Sequence, residues 1–239
     1  ILQQKNINKS NLTQKNSITD ITFIRKNATR NFYNLTKPIC EINMDTDIFV
    51  ENGNLYPFKN VAGDEMLISQ VGKTVKFENP TSNTELSEGY LSVGEFHPYA
   101  TYDFTIDEIN GESYRSNAII EFHSPGESQR IMVIRRNASG QNDLAINVQN
   151  GDEFTENLVV PYDTAFPCEL RIQFTGQRIH LFQIVNKRHH LLKSLDLSGL
   201  ELRKRETYRK FKCRVGARLD VGNSVIISKA KGMFTCGTG

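Results

Sequence analysis

The 239-residue sequence predicts an all-β protein: an antiparallel jelly-roll sandwich with one short helix at most. Three observations carry that expectation. Segments rich in β-branched and aromatic residues recur at intervals of 8–14 residues, with no long helical pattern between them. Turn dipeptides separate the segments: Asn52-Gly53, Asn110-Gly111, Pro125-Gly126, Ser139-Gly140, Asn150-Gly151 and Gly222-Asn223. Asn-Gly is a strong hairpin signal because tight hairpin turns need positive φ. Finally, several segments alternate: Leu170, Ile172 and Phe174 share one face, while Glu169, Arg171 and Gln173 share the other. Period-two alternation sets one face in a core and one in solvent.

Taken in order, residues 1–36 are a different material, with seven Asn, six Lys+Arg and Asp20 as the sole acid. They read as a polar leader or linker with at most a short strand near Ile21–Arg25. The β pattern then runs through residues 37–239, with a sub-boundary near 80–88 as the alternative, where Pro80–Ser87 is linker-like. Strands are expected near Asp47–Val50, Glu65–Ser69, Thr74–Glu78, Tyr90–Val93, Ala100–Ile109, Asn117–His123 and Arg130–Arg136. Further strands fall near Asp143–Gln149, Asn157–Val160, Glu169–Thr175, Arg178–Asn186, His189–Leu195, Lys212–Arg218 and Ser224–Phe234. The helix candidate is Leu200–Phe211. Irregular spacing argues against a propeller or solenoid.

Composition narrows the function. No run reaches the ~18 apolar residues of a membrane-spanning helix. A net charge of +2 excludes a uniformly basic nucleic-acid binder, although not a local patch. The four cysteines (Cys40, Cys168, Cys213, Cys236) form no Cys-x-x-Cys, which excludes a zinc ribbon or thioredoxin motif. Four of the five Asn-x-Ser/Thr sequons lie in the Asn-rich leader (Asn8, Asn11, Asn27, Asn34, with Asn137 apart), where composition alone produces them. A start at Ile1 rather than Met fits a removed leader or a piece of something longer.

The C-terminal half carries a resemblance. Leu170–Thr175, Gly176-Gln177-Arg178 and Ile179–Val185 form an antiparallel pair about a tight turn, followed by a short helix-like segment, Phe211–Leu219 and Val225–Phe234. That order resembles concanavalin A-like (laminin-G-type) jelly rolls. With the closing Phe234–Gly239, it is similar to accessory sandwiches that precede β-propeller glycoside hydrolases in secreted bacterial proteins. The resemblance covers roughly residues 115–239. It implies association with a polysaccharide or glycan, docking to an adjacent catalytic domain, and a secreted, periplasmic or cell-surface location.

The candidate chemistry is sparse. The Glu-x-Asp-x-Glu strand motif of sandwich glucanases is absent, so a hydrolase or lyase here would need carboxylates dispersed in sequence. Glu121 and His123 share a strand face, about 6.5–7 Å apart by strand rise, and Arg171 and Gln173 form a similar polar pair. If these strands lie in one sheet, the four line a sugar-binding concavity; otherwise they are an ordinary solvent face. On the first reading, Arg171→Ala with Glu121→Ala should abolish glycan binding and leave the fold intact. Tyr99, Tyr102, Tyr114 and Tyr162 are the stacking candidates, although Tyr102 and Phe104 share a face suited to core packing. The lack of Trp weighs against a dedicated sugar-binding module.

No His-Glu-x-x-His occurs, and no nucleophile or phosphate-loop motif. Asp45 and Asp47 with Glu51 or Asn54 would give calcium ligands, or else a plain acidic turn; no other cofactor is implied. Charge is concentrated in residues 187–218, with eleven Lys+Arg against three acids. Its centre (Arg203, Lys204, Arg205, Arg209, Lys210) reads as a solvated face or as a patch for an anionic partner; nucleic acid is the weaker fit. The expected function is a non-catalytic carbohydrate-associated module. The alternatives are a glycoside hydrolase or lyase and a structural or adhesive protein-binding sandwich.

Overall fold

The computed structural model describes residues 38–41, 55–58, 65–112, 118–137 and 142–234. The polar leader, the Asp47–Val50 strand, the calcium candidates Asp45, Asp47, Glu51 and Asn54, and Tyr114 lie outside the described residues.

The strands run in order: β1 (Pro38–Glu41), β2 (Leu55–Phe58), β3 (Leu67–Val71), β4 (Thr74–Glu78), β5 (Ser87–Glu95), β6 (Ala100–Asn110), β7 (Ala118–His123) and β8 (Gln129–Arg135). They continue as β9 (Leu144–Asn150), β10 (Glu153–Leu158), β11 (Cys168–Phe174), β12 (Arg178–Val185), β13 (Arg188–Asp196), β14 (Lys212–Leu219) and β15 (Ser224–Phe234). Helix is confined to one turn, α1 (Arg205–Tyr208), beside two 3-10 turns at Pro125–Glu127 and Ser198–Leu200. All strand pairings are antiparallel. One sheet has eight strands in the order β13-β12-β11-β6-β15-β4-β3, with β1 also on β15; the other has seven in the order β10-β9-β8-β7-β14-β5-β2.

Alternation shows most clearly at β11, whereas the central strands of the seven-stranded sheet also bury Tyr90, Ile119, Met132 and Ile134 in a second, smaller cluster. In β11, Cys168, Leu170, Ile172 and Phe174 are buried and Glu169, Arg171 and Gln173 turn outward. In β7, Ala118, Ile120 and Phe122 turn inward beside Val215 and Cys213 of the neighbouring β14, into a core that also takes Leu181 of the other sheet and draws on residues from Met66 to Ala230. Pro80–Leu86 is the crossing from the eight-stranded to the seven-stranded sheet, fastened by the fully buried Asn79, whose Nδ2 donates to the carbonyls of Glu85 and Leu219. Both halves of the β region therefore share one core. The β12–β13 hairpin closes through Asn186-Lys187, both at positive φ (52° and 63°), the geometry of a two-residue type I′ turn.

Where β5 ends and β14 begins, the core is aromatic. Phe96, Phe122 and Phe174 meet edge-to-face, with centroids 4.8 Å apart for Phe96–Phe174 and 4.9 Å for Phe122–Phe174. Phe211 completes the group 5.5 Å from Phe96. Such ring pairs add about 0.5–1.5 kcal/mol each beyond area burial, so this end of the sandwich is held firmly. Tyr102 belongs to the same cluster and is fully buried, as is Phe104 nearby, so Tyr102 is unavailable for stacking on a ligand.

Candidate functional site

The outward face of the seven-stranded sheet carries a recess. Opposite Cys213 and Arg214 of β14, β5 supplies Gly94 and Ser92, with Val93 as the extra residue of a bulge. A bulge bends its strand and breaks the ladder locally. Gly94 sits at φ 133°, a conformation that side-chain-bearing residues avoid, and it lines the recess. The result is a cleft of about 360 Å³ lined by Ser92, Gly94, Glu95 and His123 together with Lys212, Cys213 and Arg214 of β14.

Beneath and beside it lies a closed ring of charges. Glu121 is wholly buried and accepts from Arg130 Nε at 2.6 Å and Arg214 Nε at 2.8 Å. Glu127 accepts from Arg214 Nη2 at 2.7 Å and lies 3.3 Å from Arg130 Nη1. The Arg214 guanidinium also covers the Tyr90 ring at 4.1 Å. Burial alone would raise the Glu127 carboxyl; the charges of Arg214 and Arg130 outweigh that and hold it below its ordinary value. Burial pushes the Tyr90 hydroxyl far up, which keeps it neutral. Lys212 pairs with Glu95 at 3.2 Å on the open side. Among the described residues, these ion pairs set the three cations Arg130, Arg214 and Lys212 against the three carboxylates Glu121, Glu127 and Glu95.

His123 projects into this recess. Burial, and then the Arg214 charge, lower its pKa, so it is neutral at neutral pH. Its Nδ1 lies 3.2 Å from the Ser124 carbonyl, which can only accept, so Nδ1 carries the proton and Nε2 is left as an acceptor. The cleft therefore offers an imidazole acceptor, the Ser92 hydroxyl, an ammonium and a carboxylate over a rigid base.

The structure does not bring the four expected sugar contacts together. Glu121 and His123 lie on β7 of the seven-stranded sheet, whereas Arg171 and Gln173 lie on β11 of the eight-stranded sheet. Each pair points away from the core, so they face opposite sides of the sandwich. Arg171 is engaged on its own side by Asp103, directly across in register, through Nε–Oδ1 at 2.7 Å and Nη2–Oδ2 at 2.8 Å. Gln173 sits in register between Thr101 and His180. Glu121 is a buried member of the charge ring rather than an exposed contact. Glu121→Ala would leave Arg130 and Arg214 without their shared partner, so that substitution is now expected to cost stability.

The five patch residues all lie in the β13–β14 connection, at the cleft end. Lys204 pairs with Glu201 at 2.6 Å; Arg203, Arg205, Arg209 and Lys210 show no ion pair among the described residues. Tyr99 is 46 % exposed beside them, while Tyr162 donates to the Asn142 carbonyl. Sequence reasoning missed Ser92, Gly94 and Glu95 altogether, because a bulge leaves no periodic signal. It placed Lys212 and Arg214 only in the general basic stretch. Among the described residues no group of three or more His, Cys, Asp or Glu is placed to hold a metal ion, and no helix is long and apolar enough to cross a membrane.

No protein-family model matches the chain, and no curated protein matches its sequence. Solved structures do. A structure from work on endo-acting O-glycanases by which prominent human gut microbes initiate mucin breakdown superimposes with a TM-score of 0.60 at 9% identity, covering 83% of this chain and 99% of that one. The exoplasmic/lumenal domain of VIP36, bound to Ca2+ and Man3GlcNAc, gives 0.55 at 10% identity over 73% of this chain and 84% of that one. A legume lectin-like domain from Entamoeba histolytica gives 0.53 at 8% identity over 83% and 98%. The fold is thus the antiparallel jelly-roll sandwich of concanavalin A-like proteins.

Proposed function

We propose that this chain is a glycan-binding sandwich whose site is the cleft between β5, β14 and β7. The observation that carries the reading is the arrangement of Ser92, Glu95, His123 and Lys212 around a bulge-opened recess over a rigid, ion-paired floor. Sugar hydroxyls each donate and accept, and this set supplies both roles within one recess. The fold supports the reading, since the VIP36 domain is described with Man3GlcNAc bound.

The charge ring favours binding over hydrolysis. A glycosidase needs a carboxyl that stays protonated as general acid. Glu121 and Glu127 instead share two arginines, and Glu127 is held in its ionised form. In a secreted glycan-processing protein such a module would hold an adjacent catalytic domain near its polysaccharide. Calcium, through Asp45 and Asp47, belongs to the same proposal as an accessory ligand.

A glycan array at about 0.05 and 0.5 M salt tests the reading. Shaped recognition persists when the Debye length contracts from about 14 Å to about 4 Å. Salt-resistant binding to one glycan class, lost in His123→Ala, supports it; silence across the array at both salts overturns it.

A further inference from the structure

The ion-paired cleft does not end at Lys212. Phe211 and Lys212 follow directly on the β13–β14 connection, which is docked on the sandwich at this same end. The Phe96 amide donates to the Phe211 carbonyl, and Tyr208 meets His97 edge-on at 5.2 Å. Arg203 reaches across to the β11–β12 turn. A Cβ placed on Gly176 would lie 2.7 Å from Arg203 Nε and 3.1 Å from the Tyr99 hydroxyl, so both side chains rest on that glycine.

Residues 202–211 hold five cations against the single carboxylate of Glu206, and only Lys204 has an ion partner among the described residues. Nearby, Lys212 is neutralised by Glu95, and Arg214 and Arg130 by Glu121 and Glu127. Among the described residues, unpaired cations are therefore concentrated on this connection, the rim. Lys210 precedes Lys212 by two residues, within about 7 Å of extended chain, so rim and cleft are continuous.

We infer that the ligand is an acidic glycan. A neutral ring sits in the cleft, and a sulfate or carboxylate substituent on the same or the next sugar is taken by Arg205, Arg209 and Lys210 on the rim. The inference rests on the glycan-binding reading and adds the substrate class. Arginine suits the planar, multi-oxygen acceptor of either group.

The test is a printed array in which each neutral glycan stands beside its 6-O-sulfated counterpart, with a single-stranded DNA oligonucleotide as polyanion control. It is probed with the full chain, with Arg205→Gln/Arg209→Gln/Lys210→Gln, and with His123→Ala. All three substituted rim positions are exposed, and Arg203 is kept because it packs on Gly176. The expected result is sulfated over neutral by about tenfold, the scale of three exposed charge contacts acting together. The triple variant should bind the sulfated form no better than the neutral one, with neutral binding unchanged, and His123→Ala should weaken both. Equal binding of sulfated and neutral forms by the full chain, with His123→Ala still weakening both, overturns the acidic-glycan inference and leaves the cleft reading standing. DNA bound as well as the sulfated glycan, or sulfated binding untouched by His123→Ala, also overturns it. Silence toward every glycan overturns both readings.

Discussion

Glu121 and Arg214 form a buried cross-strand ion pair on the outward face of the seven-stranded sheet, Nε to Oε2 at 2.8 Å, directly opposed in the β7–β14 register. Neither group has water to fall back on: Glu121 is 0% exposed and Arg214 7%. Breaking such a pair from one side leaves an uncompensated charge. Arg214→Leu should therefore cost about 3 kcal/mol in urea unfolding. A loss under about 0.5 kcal/mol would show the pair to be dispensable.

Gly216 is the second pressure point of this face. Its pairing partner is Tyr90, and an added Cβ would lie 2.1 Å from the Gly89 carbonyl and 2.5 Å from Tyr90 Cδ1. One obstacle is backbone and cannot rotate away. Gly216→Ala should lose about 1–3 kcal/mol in the same assay and displace the ring that Arg214 covers. Wild-type stability would contradict the close approach.

Glycan affinity should depend on His123 protonation. Its folded pKa lies below the ordinary 6.5, through burial and then the Arg214 charge, so the Nε2 acceptor is present at neutral pH and is lost only in acid. Titration calorimetry should give constant affinity from about pH 8 to 6.5 and a decline below that. His123→Gln keeps a side-chain acceptor without the titration and should flatten the profile. The same acid decline in His123→Gln would assign it elsewhere.

Part of the acid stability should trace to the opposite face. Burial would raise the Asp103 carboxyl, but the hydrogen bonds and charge of Arg171, with Lys229, outweigh it and hold it below its usual value. A depressed carboxylate contributes stability above its unfolded pKa and loses that contribution as pH falls through the folded one. Urea midpoints should thus drop from about pH 4 downward, and Asp103→Asn should show a shallower drop. Parallel profiles for the two proteins would contradict this.

Much of the fold is legible in the sequence. Thr74–Glu78 and Ser224–Phe234 are strands at the bounds that their alternation predicts, and the short helix falls inside Leu200–Phe211. Less was legible where local pattern is weak. The β10 strand begins at Glu153 rather than Asn157, because an exposed edge strand needs no apolar alternation. The site was half legible. Alternation gives His123 its outward face, but which sheet a strand joins is decided by crossings such as Pro80–Leu86 and by pairings far apart in sequence. Nothing local in Glu121 and Arg171 tells that they face opposite sides. Nor does it tell that Glu121 would meet Arg214, 93 residues on.

The most direct test of the cleft is amide chemical-shift mapping on the 15N-labelled chain, titrated with the glycan that the array selects. The expected perturbations centre on Ser92, Gly94, Glu95, His123 and Lys212, with Asp103, Arg171 and Gln173 unmoved. Shifts gathered around Asp103 and Arg171 instead would place recognition on the other face and contradict the assignment of the cleft.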